Sequence, residues 1–90
     1  MSSFTKDPAD ILDYGIDWSS WLAPLEDTIT TSTWSVPTGL SKGAESKSTT
    51  ASTVWLSGGT AGEVYKVANK IVTAGGRTAE RSITIKVKEL

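Results

Sequence analysis

Ninety residues make one domain with one core, since a chain this short buries only about 60–65% of the surface its unfolded form exposes. Nine lysines and arginines against ten acidic residues give a net charge of -1, which supplies neither a basic footprint for nucleic acid nor an acidic tail. The absence of cysteine excludes disulfides and thiolate metal sites, and the absence of histidine removes the usual general base at neutral pH and the commonest metal ligand.

No GxSxG, HExxH, P-loop or GxGxxG pattern occurs, so neither an enzyme nor a cofactor is expected. No apolar run approaches the roughly 18 residues of a membrane span, and no basic segment leads into an apolar one at the N-terminus. A soluble chain, folding in a reducing cytoplasm, fits these features.

Taken in order, residues 1–8 hold little to bury except Phe4, which predicts an N-terminal arm that is free or ordered by a neighbour, ahead of one domain over 9–90. Within 9–22, Leu12, Tyr14, Ile16 and Trp18 alternate as in a strand with four large apolar groups on one face, and its end at 18–22 is less regular. Asp7, Asp10, Asp13 and Asp17 punctuate this segment without the spacing of a Ca²⁺ loop, so a solvated strand edge is expected there and no metal.

Residues 27–36 are rich in β-branched side chains, but Ile29 and Trp34 differ in parity, and a bulge near Ser32 would bring both inward. The polar, turn-prone stretch 37–48 reads as a mobile loop holding at most one short edge strand. A short strand over 53–57 ends in the glycine-rich 58–62.

The clearest unit is a terminal hairpin over 63–73 and 79–88, where Tyr65, Val67 and Ile71, then Ile83, Ile85 and Val87, alternate with polar neighbours. Gly75 and Gly76 in the connection can supply the positive φ angles of a tight turn. Asn69 shares the inward parity, which predicts a place at the sheet margin or a hydrogen bond to loop backbone. Arg77, Glu80 and Arg81 read as surface or cross-strand ion pairs.

Six or seven short strands with no helical segments between them describe an all-β sandwich. Tyr65, after a glycine-bearing corner and two residues before inward Val67, matches the tyrosine corner of immunoglobulin-like β-sandwiches, with its hydroxyl bonded back to the corner backbone. Trp18 and Trp34 are assigned to the core. Trp55 alternates with Val54 and Leu56 and is assigned to the outside, where tryptophan is enriched at protein contacts.

Further stretches carry a resemblance: Lys6-Asp7-Pro8, Leu12-Asp13-Tyr14, Asp17-Trp18-Ser19-Ser20-Trp21-Leu22, Asp27-Thr28-Ile29, Ser32-Thr33-Trp34, Val54-Trp55-Leu56-Ser57-Gly58-Gly59-Thr60, Gly62-Glu63-Val64-Tyr65 and Gly76-Arg77-Thr78-Ala79-Glu80-Arg81-Ser82. In these the chain resembles small fibre-tail adaptor-like virion proteins of tailed phages and prophages. The resemblance implies an immunoglobulin-like domain near the tail or neck of the particle, without catalysis or cofactor, assembled in the host bacterial cytoplasm.

Its implied partners are other virion proteins, a homo-oligomer in the particle being compatible, with no nucleic acid and no membrane. Phe4, Lys6, Asp7, Trp21 and Trp55 are the expected interface residues, and Tyr65, Trp34, Gly75 and Gly76 the structural ones. The alternative is a glycan-binding or host-surface adhesion module in which Trp55 or Trp21 stacks on sugar rings.

Overall fold

Period-two alternation becomes seven strands in the computed structural model, which describes residues 2–90; Met1, the first residue of the expected arm, lies outside them. The strands are β1 (Ser2–Lys6), β2 (Leu12–Asp17), β3 (Ile29–Ser35), β4 (Leu40–Lys47), β5 (Ala51–Gly58), β6 (Val64–Thr73) and β7 (Thr78–Val87). They form two sheets, one in the order β1-β7-β6-β3 and the other β2-β5-β4. The chain crosses between the sheets four times before the final hairpin, which is the pattern of an immunoglobulin-like sandwich.

The β6–β7 hairpin is the most regular part, paired from Val64 opposite Lys86 to Val72 opposite Thr78. Tyr65, Val67, Ile71, Ile83, Ile85 and Val87 all point inward and are buried. In the turn only Gly76 takes a positive φ, of 85°. Gly75 serves by its missing Cβ instead, which would stand 2.7 Å from Arg77 Nη1 and 2.9 Å from Asp27 Oδ2. At the other end of β6 the Tyr65 hydroxyl accepts the Thr60 backbone N–H at 2.9 Å, closing the corner.

The N-terminal segment is not an arm. Residues 2–6 pair parallel with β7, Phe4 opposite Ile85 and Lys6 opposite Val87. Phe4 tilts onto Tyr14 with ring centroids 5.1 Å apart. Five ladder residues satisfy backbone groups that an unpaired arm would leave to water, and this offsets the entropy that composition alone suggested could not be recovered.

Residues 18–22 also depart from a strand. Asp17 Oδ1 accepts the Ser19 N–H at 2.9 Å, and Ser19–Leu22 make a one-turn helix, α1, that runs into a 3-10 turn at Ala23–Leu25. That turn lets Trp18 and Leu22, both 1% exposed, enter the core together beside Ile29 and Ile71. The β3 bulge exists but falls at Thr30, between Ile29 and Thr31, two residues before the expected site. The 37–48 stretch is a loop only as far as Gly39, since β4 spans eight residues along the edge of its sheet.

Asn69 is neither marginal nor bonded to a loop. It is fully buried, accepts from Trp18 Nε1 at 3.0 Å and Ser52 Oγ at 2.6 Å, and donates to Ser32 Oγ at 2.9 Å and Thr33 O at 3.2 Å. One amide thereby ties β3, β5, β6 and the segment before α1 together, and it stands between two apolar clusters, one around Trp34, Val67 and Ile85 and one around Trp18 and Leu22.

Candidate functional site: the outer faces and edges

Trp55 shows how strand parity makes a surface. Its neighbours Val54 and Leu56 are fully buried, so the pleat turns the indole out of the sheet, where it remains 43% exposed. Asp13 of β2 is its ladder partner on one side. On the other, Gly43 lies where β4 breaks register, and a Cβ there would meet Trp55 Cβ at 3.4 Å. The indole therefore has a carboxylate on one flank and bare backbone on the other, with Ile11, 67% exposed, just before β2.

The free margins of β3 and β4 face one another across a groove of about 280 Å³ lined by Thr30, Thr31, Ser32, Glu45, Ser46 and Lys47. At one end β4 bridges the gap: Glu45 Oε1 accepts the Trp34 N–H at 3.0 Å, Lys42 Nζ donates to Trp34 O at 3.2 Å, and the two side chains pair at 2.9 Å. This clamp occupies the outward backbone groups of an edge strand, which otherwise invite a further strand to pair.

The other expected interface residues sit elsewhere. Lys6 is fully buried, its ammonium donating to Gly58 O at 2.6 Å and Asp7 O at 2.9 Å. It cannot reach a partner. Asp7 accepts the Leu90 N–H at 3.0 Å and the Ala9 N–H at 2.8 Å, and these bonds hold its carboxyl below the ordinary 3.8. Phe4 and Trp21 are half-buried, the latter edge-on to Trp18 at 5.6 Å, while the Arg81 guanidinium stacks 4.5 Å over the Trp18 ring.

Three further ionisable groups are shifted, among them Asp17, lowered by hydrogen bonds from the side chain and backbone N–H of Ser19. Asp27 is lowered from 3.8 to about 2, first by the Thr73 side chain, then by the Gly75 and Thr28 N–H groups and Arg77, against an opposing effect of burial. It ties the β6–β7 turn to the start of β3, with Arg77 Nη1 at 2.9 Å. The Tyr14 hydroxyl is pushed up, chiefly by burial and then by Asp10 and Asp13.

Of the five expected interface residues, then, the structure leaves Trp55 clearly outward and does not bring the others to it. Ile11 beside it and the Lys42–Glu45 clamp were not singled out from sequence. Parity counted back from Tyr14 would have placed Ile11 outside; the clamp has no local signal, because its acceptor and donor lie eight and eleven residues upstream.

Comparison with known proteins adds a family. The family model described as "Podophage GP4 fiber-tail adaptor protein gp77" matches residues 6–86, nearly the whole chain. No curated protein matches it.

Proposed function

This chain belongs to the family of podophage GP4 fiber-tail adaptor protein gp77, a family of structural virion proteins, and from that premise we propose that it works by contact alone, presenting a rigid sandwich face to neighbouring protein in the particle. The observation that carries this reading is Trp55. A large apolar ring with a hydrogen-bond donor stands 43% exposed on the outer face of the β2-β5-β4 sheet, flanked by Asp13 and Gly43, while its strand neighbours are sealed in the core.

Contact rather than chemistry suits the side chains present. The face lacks histidine and cysteine, as the whole chain does. The shifted carboxyls, Asp7, Asp17 and Asp27, accept backbone or neighbouring side-chain hydrogen bonds, which is structural work. The adhesion alternative gains no support from the β3–β4 groove, because Trp55 is not among the residues lining it.

Trp55→Ala is expected to leave the melting temperature of the isolated domain within a few degrees of wild type while reducing its incorporation into particles, read by quantitative mass spectrometry of purified virions. Normal incorporation of the folded variant would reject Trp55 as a contact residue.

A further inference from the structure

The ladder registers sort the charges of this nearly neutral chain onto opposite faces. On β6, Tyr65, Val67 and Ile71 point inward, so Lys66 and Lys70 point out, and Lys86 joins them from β7 as the ladder partner of outward Val64. All three lysines are exposed, and none makes an ion pair among the described residues. Glu80, the ladder partner of Lys70, is the acid among them.

The β2-β5-β4 sheet is opposite in sign. Tyr14 and Ile16 turn inward, so Asp13 and Asp17 face out beside Trp55 and Thr53. Among the described residues, no lysine or arginine holds an outward ladder position on that sheet: Lys42 and Lys47 pair with buried Leu56 and Ser52 and so turn toward the β3 margin. Each face also carries exposed apolar surface, Trp55 and nearby Ile11 on the acidic one and Val64, 60% exposed, on the basic one.

We propose that the acidic Trp55 face of one copy docks on the lysine face of the next, Asp13 and Asp17 meeting Lys66, Lys70 and Lys86 around a Trp55 centre, so that copies of this chain associate head to tail. This rests on the reading of the Trp55 face as a contact surface and names its partner. Charge complementarity commits the occupant: a surface with aspartates around an indole fits a lysine-bearing one, through ion pairing and stacking of an ammonium on the ring. A net charge of -1 brings little overall repulsion against self-association.

The contact is heterologous, because two different faces meet, and such contacts build rings or open arrays rather than closed dimers. The β2-β5-β4 sheet, three strands of six to eight residues, limits the contact to roughly 400 Å² per side. That falls at the low end for specific interfaces. Association is therefore weak in dilute solution, salt-sensitive, and strengthened where copies are held close together in a particle.

Analytical ultracentrifugation of the full chain, at high concentration, tests this. In about 0.01 M salt, where the Debye length is about 30 Å, species above the 9.5 kDa monomer are expected, and in about 1 M salt, where it is about 3 Å, the monomer alone. Lys66→Glu with Lys70→Glu, and separately Asp13→Lys, each abolish the larger species. Mixing the two variants restores the larger species, since the Trp55 face of the first still meets the lysine face of the second and the two charge-reversed faces are complementary in turn. Circular dichroism confirms that both fold; if either fails to fold, the salt response of the wild type still decides. A wild type monomeric in low salt, or reversals that leave the species unchanged, overturns the proposal. Monomeric protein whose Trp55→Ala variant is nevertheless lost from particles also overturns it, and leaves the Trp55 contact to a different virion protein.

Discussion

Strands β1 and β4 both run along the margin of a sheet, and both are polar in sequence, yet they are held in opposite ways. β1 is five residues long, buries Lys6 completely, half-buries Phe4 and closes the parallel side of its sheet against β7. β4 is longer, with eight residues, and buries only Leu40; it is held by its ladder to β5 and by the Lys42–Glu45 clamp on Trp34. What secures a marginal strand is therefore what lies over it, and its own composition is a poor guide.

The largest effect should come from removing β1. Deleting residues 1–6 strips a five-residue ladder, the Phe4–Tyr14 contact and the Lys6 bonds, and is expected to cost on the order of 3–5 kcal/mol, comparable to a large core truncation. Thermal melting followed by circular dichroism measures it. A melting temperature within about 2 °C of wild type, against the roughly 4–8 °C per kcal/mol expected for a small domain, would show that β1 is merely laid against the sheet.

Lys6 isolates how β1 is locked. Lys6→Ala should cost about 1–3 kcal/mol, because Gly58 O loses its buried donor and the methylene stem leaves a void. Lys6→Met keeps the stem and removes a buried charge, so it should cost less. Chemical denaturation of both variants gives the order, and an equal loss in the two would assign the whole effect to the hydrogen bond.

On the β4 side, Glu45→Ala frees the Trp34 N–H and unpairs Lys42, which is expected to cost only about 0.5–1.5 kcal/mol because the pair is about one-third exposed. A loss as large as that of the β1 deletion would erase the contrast between the margins.

Acid should give the smallest effect and should act on the β1 side. The folded-state carboxyl of Asp7 lies below its ordinary 3.8, so its contribution is present above that pH and is lost as the pH falls through the folded value. Asp27, lowered to about 2, behaves likewise at the β6–β7 turn. Melting temperatures between about pH 5 and 2 should fall less steeply for Asp7→Asn than for wild type. Identical slopes would mean that the Leu90 and Ala9 bonds do not matter to stability.

The two margins also mark where the sequence stops speaking. Alternation over 63–73 and 79–88, the Tyr65 corner, the inward Trp34 and the outward Trp55 were all legible, because strand parity is a two-residue property and a corner spans five. A bulge in β3 was legible from the parity clash of Ile29 and Trp34, though not its position at Thr30, which the pairing with β6 selects. Only the tertiary structure could decide the rest. Ser2–Lys6 becomes a strand because β7, about eighty residues later, offers a free edge, Lys6 is buried because Gly58 O comes to meet it, and Asn69 becomes the polar centre because Trp18, Ser32 and Ser52 converge on it from three separate segments. In each case the hydrogen-bond partner that makes burial of a polar group tolerable lies far away in the chain, and no local pattern encodes it.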